Sequence, residues 1–122
     1  MKRKAQDPPI PTLEEFLACC RAECDFLVRE HGFVRLAAPR EYNEFAVCYR
    51  KGFLSVEVYG ENYGQHASCD LIRGKDCIDL GLLVPIEERM AAGRSGPRLD
   101  QLGLVRRIAT RLRRHATDFL GG

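Results

Sequence analysis

The sequence predicts a two-layer α+β fold, in which an antiparallel meander of four to five strands packs one face against an N-terminal and a C-terminal amphipathic helix. Three observations lead to this fold. The segment from Glu44 to Tyr59 reads as a hairpin with one apolar face, residues Ala67 to Leu80 read as a second hairpin, and both terminal segments carry an apolar stripe at helical spacing. Because each element has one apolar side, the layers bury those sides together and leave the other sheet face open.

The first helix is predicted to begin after Thr12, since Thr12 and Glu15 have the spacing of a capping box. Gly32 supplies a residue that tolerates the left-handed conformation and ends the helix. Residues 1–11 are polar and end in Pro-Pro-Ile-Pro, which predicts a flexible arm before a single domain over 12–122. The apolar stripe of this helix comprises Leu13, Phe16, Leu17, Cys20, Cys24, Leu27 and Val28.

After a short predicted strand, Phe33 to Leu36, the first hairpin is predicted to turn at Lys51-Gly52. This register pairs Tyr49 with Leu54, Val47 with Val56, and Phe45 with Val58 on the core face. A slip of one residue would reverse both faces, so the agreement supports a sheet with one buried side. The side predicted to face outward carries Glu44, Ala46, Cys48, Arg50, Phe53, Ser55, Glu57 and Tyr59.

The second half of the chain continues the meander and ends in a helix. A loop from Gly60 to His66 leads to a strand from Ala67 to Ile72, and the next strand runs from Cys77 to Leu80 with Leu71 opposite Ile78. One short helix is predicted over Ile86 to Ala92. The last helix has an apolar stripe formed by Leu99, Leu102, Val105, Ile108, Leu112, Ala116, Phe119 and Leu120.

The composition favours a cytoplasmic globular protein without cofactors. No apolar run approaches the roughly 18 residues of a membrane span, and the basic start is not followed by an apolar signal core. The six cysteines lie in segments that read as core and have no Cys-x-x-Cys spacing, so we expect free thiols and no metal site. The three histidines are far apart in the sequence, and His66 near Cys69 and Asp70 is the one tight cluster. We therefore expect no enzymatic activity.

Charge is distributed unevenly, although the net charge is only +2. Residues 12–70 carry six basic and ten acidic side chains, whereas residues 71–122 carry ten basic and six acidic ones. The basic excess lies on the last helix and raises nucleic-acid binding as an alternative, through Arg106, Arg107, Arg111, Arg113 and Arg114. Residues 81–97 do not supply a helix-turn-helix frame, which argues against nucleic acid as the partner.

The open sheet face and its adjoining loop are the predicted partner-binding surface. Tyrosine and phenylalanine bring large contact areas to protein interfaces, and the acidic side chains could pair with a basic partner. A homodimer, or other residues of the same chain, would be the alternative cover for this face. The predicted partner-binding residues are Glu44, Phe53, Glu57, Tyr59, Glu61 and Tyr63.

The pairs Phe16-Leu17 and Phe26-Leu27 on the first helix, then Glu30-His31-Gly32-Phe33 and short strands, form a pattern over residues 12–84. This pattern resembles the small, single-domain immunity proteins of bacterial polymorphic toxin systems. The resemblance implies a cytosolic protein that binds a cognate toxin and occludes its active site, and it assigns no functional residue. A small secretion or assembly chaperone, dimeric and binding an extended client segment, is a further alternative.

Overall fold

The computed structural model describes residues 11–37, 45–61, 66–94 and 99–121. Within these ranges the chain forms five α-helices and a five-stranded antiparallel sheet, which confirms the predicted α+β fold. The helices are α1 (Leu13–Cys24), α2 (Phe26–His31), α3 (Ile86–Arg94), α4 (Gln101–His115) and α5 (Thr117–Gly121). The strands are β1 (Val34–Ala37), β2 (Phe45–Lys51), β3 (Leu54–Glu61), β4 (His66–Arg73) and β5 (Asp76–Asp79), and a 3-10 turn follows at Leu80–Leu83.

The sheet is a meander in which each strand pairs with its neighbours in chain order, from β1 to β5. The second hairpin has the predicted register, with Leu71 opposite Ile78. Its connection is shorter than predicted, because Arg73 and Asp76 already pair and leave only Gly74 and Lys75 in the turn. Gly74 has φ of 60°, a left-handed conformation that glycine adopts without strain.

The predicted register of the first hairpin is wrong by one pair. Val47 lies opposite Val58 and Tyr49 opposite Val56, because the turn is formed by Gly52 and Phe53. Gly52 has φ of 58° and takes the first turn position, where a two-residue hairpin turn favours glycine. Moving the turn by one residue changes each partner by two positions, so the side chains keep their faces. The predicted core face is therefore retained.

The first helix begins as predicted but is interrupted once. The Thr12 hydroxyl accepts the Glu15 amide and the Glu15 carboxylate accepts the Thr12 amide, which is the capping box. At Asp25 the chain leaves α1 and starts α2, which ends at Gly32 with φ of 78°. The interruption shifts the helical phase, so Val28 of the predicted stripe is exposed and Phe26 is buried instead. Leu13 at the start of α1 is also exposed.

The core lies between the helices and one face of the sheet. The fully buried side chains of α1, α2, α4 and α5 pack there with those of β2, β3 and β4. Each large apolar side chain removed from water contributes about 1.5–3 kcal/mol before the entropy cost of ordering is subtracted. The core includes Phe16, Phe26, Leu27, Val47, Tyr49, Val56, Val58, Cys69, Leu71, Val105, Leu112 and Leu120.

The predicted C-terminal helix is present as α4 followed by α5, with Ala116 between them. Its stripe is buried from Val105 to Leu120 except for the half-buried Phe119, whereas Leu99 precedes α4 and is exposed. Asp100 caps α4 by accepting the Gly103 amide at 2.7 Å. The arm was predicted over residues 1–11; residues 1–10 lie outside the described ranges, and Pro11 is buried. Across the described helices, none is both long and apolar enough to cross a membrane.

A polar cluster joins the helix break to the sheet. The Tyr49 side chain is fully buried, and its hydroxyl lies 3.0 Å from Asp25 Oδ1 and 3.3 Å from the Cys20 carbonyl oxygen. Arg35 of β1 donates to the other Asp25 oxygen at 2.6 Å. Burial and the negative charge of Asp25 both raise the pKa of Tyr49, so the phenol stays a neutral donor. One carboxylate thus connects the end of α1, strand β1 and strand β2.

Gly60 is a close-packed strand residue, although the sequence indicated a loop there. It lies in β3 opposite Phe45. A Cβ at this position would lie 2.8 Å from Phe16 Cε1 and 2.9 Å from Gln101 Nε2. Because Phe16 and Gln101 are themselves buried, neither side chain has room to move aside. The absence of a side chain at Gly60 lets α1 and α4 approach this end of the sheet.

Replacing Tyr49 with Phe should lower the free energy of unfolding by about 1–3 kcal/mol, because the Asp25 and Cys20 acceptors lose a buried donor. Urea unfolding followed by circular dichroism measures the change. The exposed Thr110 hydroxyl, which bonds to the Arg106 carbonyl, gives the matched control. Thr110→Val should stay within about 0.5 kcal/mol of wild type. Equal stability of Tyr49→Phe and wild type would contradict the role given to this cluster.

Replacing Gly60 with Ala should destabilise the protein by about 1–3 kcal/mol through the contacts with Phe16 and Gln101. Gly121→Ala is the control, because no atom lies within 4 Å of a Cβ there. Thermal unfolding of the two variants under identical conditions compares them directly. Equal unfolding temperatures for Gly60→Ala and Gly121→Ala would show that Phe16 and Gln101 leave room for a side chain at position 60.

Candidate functional site

The face of the sheet opposite the core, called the outer face below, is defined by the register of the five strands. One row of cross-strand neighbours joins Leu36, Cys48, Glu57, Asp70 and Asp79. A second row runs from the β1 edge to the β5 edge, and a third crosses β2, β3 and β4. The second row comprises Val34, Arg50, Ser55, Ile72 and Cys77, and the third comprises Ala46, Tyr59 and Ser68.

Three carboxylates occupy adjacent positions in the first row. Glu57 pairs with Asp70, and Asp70 pairs with Asp79, so like charges lie directly opposite one another on three neighbouring strands. Such an arrangement costs stability, because cross-strand residues of like charge repel. Asp79 Oδ1 accepts the Gly81 amide at 2.7 Å, which fixes the carboxylate at the end of β5. We call Glu57, Asp70 and Asp79 the acidic row.

The negative charge of the acidic row affects the pKa of the neighbouring Cys77 thiol. Partial desolvation and the carboxylates of Asp70 and Glu57 raise the pKa of Cys77, which is exposed and hydrogen-bonds to Asp70. For Cys48, desolvation and the Glu57 carboxylate raise the pKa, and Arg50 acts in the opposite direction. Both outer-face thiols are thus held in the neutral form, first by desolvation and second by the neighbouring carboxylates. They are poor nucleophiles at neutral pH, since the thiolate is the reactive species.

The rest of the outer face is mixed in character. Val34 and Leu36 of the edge strand β1 are exposed, with 59% of Val34 accessible to solvent. The Tyr59 hydroxyl donates to the Glu57 carboxylate, which orients both half-buried side chains. Ser55 was predicted to be free on this face, but it is buried among its neighbours, as are Ala46 and Cys48. The accessible area therefore includes an apolar edge at β1, the exposed Arg50 of β2, and the acidic row with Cys77 towards β5.

The structure brings only part of the predicted partner-binding set together. Glu57 and Tyr59 lie side by side on the outer face. Phe53 was predicted to pair with Arg50 in a strand; it lies in the hairpin turn instead and is 84% exposed. Glu61 is the last residue of β3, paired with His66, and was wrongly placed in a loop. Glu44 and Tyr63 lie outside the described residues.

Asp70 and Asp79 were not among the predicted partner-binding residues. Their place in the acidic row follows from the register between β3, β4 and β5. The pairing of β3 with β4 was not predicted, because residues Gly60 to His66 were assigned to a loop. In the structure β3 continues through Gly60 and Glu61, and β4 already begins at His66. The signal was available in the second hairpin alone, where the correct pairing of Leu71 with Ile78 places Asp70 opposite Asp79.

The arginines of α4 do not form one basic surface. Arg106, Arg113 and Arg114 lie within 4 Å of the carboxylates of Glu23, Glu30 and Glu88, respectively, and Arg113 also stacks over the Phe26 ring at 3.9 Å. The acidic and basic halves of the sequence thus meet where α4 passes α1 and α2. The other two predicted arginines, Arg107 and Arg111, face a cavity beside β4. This division weakens the case for a continuous phosphate-binding helix face.

The cluster of His66, Cys69 and Asp70 does not form a reaction centre. Cys69 is buried in the core, whereas Asp70 points to the outer face, because strand residues alternate sides. Burial raises the pKa of the Cys69 thiol well above its ordinary value. His115 lies elsewhere, with Nε2 3.0 Å from the Glu88 carboxylate. In the part of the chain that the structure describes, no three His, Cys, Asp or Glu side chains converge as metal ligands would.

Comparison of the chain with protein-family models, with curated proteins and with solved structures gives no match. The geometry and charge of the outer face are therefore the basis for assigning a function.

Iodoacetamide should modify one thiol of the native protein, Cys77, because the other five cysteines are buried. Mass spectrometry after timed labelling measures both the site and the rate. Asp70→Asn should speed the reaction of Cys77, since the carboxylate that opposes thiolate formation is removed. Glu87→Gln, on the exposed face of α3, is the control with the same charge change and should leave the rate unchanged. An unchanged rate in Asp70→Asn would show that the acidic row does not govern this surface.

Proposed function

We propose that this chain is a non-enzymatic binding protein that neutralises a basic protein partner by docking its outer face on it, in the manner of an immunity protein acting on its toxin. The observation that carries the proposal is the acidic row. Three carboxylates on neighbouring strands are held next to one another at a cost in stability. The repulsion between these carboxylates would be relieved by a positively charged ligand. A protein partner rich in lysine and arginine would provide that charge.

The chemistry around the acidic row supports a protein rather than a small cation as the ligand. Tyr59 beside Glu57 offers an aromatic ring with a polar tip, a combination enriched at protein interfaces. Val34 and Leu36 expose apolar area at the β1 side of the same face. An apolar and aromatic region next to complementary charge is the usual composition of a specific interface, in which the charges set orientation and association rate.

Binding of the outer face over the partner's active site would by itself inhibit the partner. An enzyme that acts on phosphate-bearing substrates lines its active site with lysine and arginine. The carboxylates of the acidic row could form ion pairs with those side chains in place of the substrate. Neutralisation of this kind requires no catalytic residue from the inhibitor. It requires only that the face be rigid, which suits a site built on three neighbouring strands, β3, β4 and β5, of a five-stranded sheet.

Reversing two charges of the acidic row tests the proposal. A Glu57→Lys and Asp70→Lys double variant should bind the partner about 100-fold more weakly, since like charges would then face each other across the interface. The partner is obtained by affinity capture with the wild-type protein from the cells that produce it. Its affinity for each purified variant is then measured by isothermal titration calorimetry. The captured protein should be basic and toxic when expressed alone, and wild type should suppress that toxicity on co-expression.

The matched control is a Glu14→Lys and Glu87→Lys double variant, which has the same net charge but changes exposed residues of α1 and α3. It should bind and protect like wild type. Full protection by the Glu57→Lys and Asp70→Lys variant, or equal loss in the control, would overturn the assignment of the outer face. Circular dichroism of both variants checks that the fold is retained.

A further inference from the structure

A cavity of about 270 Å³ lies at the end of the sheet, between the first half of β4, the 3-10 turn and α4. It exists because β5 pairs only with Asp70 to Arg73 and leaves the preceding residues of β4 without a strand on that side. The chain then turns away through Leu80–Leu83, and α4 closes the opposite wall. The volume is slightly below the range of about 300–1,000 Å³ typical of ligand pockets, so it suits a small ligand or a single chemical group.

Two arginines face this cavity from α4. Arg107 and Arg111 are four residues apart and therefore lie on the same side of the helix, above Leu104 and Ile108, which form the apolar part of the wall. Both arginines are partly buried, in contrast to the exposed Arg106, Arg113 and Arg114. Like charges at this spacing destabilise a helix.

No carboxylate of the described residues lies within ion-pair distance of Arg107 or Arg111, whereas each of the three exposed arginines has one. Burial lowers the pKa of Arg111, the positive charge of Arg107 lowers it further, and the Glu88 carboxylate acts in the opposite direction. Asp79 also lines the cavity, but its Oδ1 is engaged by the Gly81 amide. The lining therefore holds two guanidinium groups against one carboxylate, with His66 and Ser68 as further polar members.

We propose that this cavity is a binding site for a small phosphate-type oxyanion held by Arg107 and Arg111. A guanidinium group binds a phosphate through two parallel hydrogen bonds, and two such groups on adjacent helical turns can grip one tetrahedral anion. The anion would relieve the repulsion between the arginines, which Glu88 opposes at Arg111 without forming an ion pair with it. The cavity borders the outer face at Ser68 and Asp79, but the two arginines that would hold the anion are on α4 and do not belong to the outer face, so this proposal does not depend on the proposed partner-binding function.

The test is a calorimetric titration of the purified protein with inorganic phosphate at constant ionic strength. Wild type should show saturable binding with one site per chain. Arg107→Gln and Arg111→Gln should each weaken it by about tenfold or more, because each removes charge-assisted hydrogen bonds. Arg106→Gln is the matched control, with the same charge change on the same helix outside the cavity, and it should bind like wild type. The amide signals of Ser68 and Gly81 should shift in nitrogen-15 spectra of wild type as phosphate is added.

Stability separates a binding role of the arginines from a structural one. In phosphate-free buffer, Arg107→Gln and Arg111→Gln should unfold at the same temperature as wild type or above it, because a repulsive pair has been removed. A marked loss of stability in both variants would overturn the proposal and make the arginines structural. It would equally be overturned by the absence of saturable phosphate binding, by equal loss in Arg106→Gln, or by acetate binding as tightly as phosphate.

Discussion

The hydroxyl group of Tyr49 lies in the middle of the core, where an unbonded hydroxyl would cost several kcal/mol, and Asp25 supplies its acceptor. To do so, Asp25 stands at the break between α1 and α2, and its second oxygen holds Arg35 of the edge strand β1. The position of the helix break, the seating of α1 on β2 and the attachment of β1 therefore depend on one carboxylate. Replacement of the pair by apolar residues could be tolerated, but loss of either partner alone leaves a buried polar group unsatisfied.

The charged side chains form two kinds of arrangement: pairs of opposite charge between helices, and neighbouring groups of like charge. Where α4 passes α1 and α2, arginines and glutamates compensate one another at exposed positions, and each such pair contributes little to stability. In two places charges of like sign lie side by side instead: the acidic row and the arginine-lined cavity. Both lie towards the β5 side of the sheet, and Asp79 borders each of them. Charge of both signs thus concentrates towards the β5 side of the fold, with the carboxylates on the strands and the arginines on α4.

Most of the fold was accessible from residue patterns, because burial on one face imposes a period of two on strands and of 3.6 on helices. The capping box at Thr12, the helix end at Gly32 and the pairing of Leu71 with Ile78 were all predicted correctly. The first hairpin was displaced by one pair, since Lys51-Gly52 and Gly52-Phe53 give the same faces and differ only in the turn geometry. The helix break at Asp25 was missed because the residues that bond to its carboxylate, Arg35 and Tyr49, lie in later strands of the sequence. The acidic row and the cavity depend on registers among three strands and on where β5 ends, which local patterns do not specify.

The two outermost strands of the sheet are short, with four residues each in β1 and β5, whereas β2, β3 and β4 have seven or eight. A short border offers few unpaired backbone donors and acceptors to a strand from another molecule, and natural proteins use this device to prevent edge-to-edge aggregation. Growth of the sheet by addition of a foreign strand along β1 or β5 is thereby disfavoured. Association through the sheet is left to side chains, so selectivity for a partner depends on which residues the surface displays and not on backbone pairing, which any extended segment could provide.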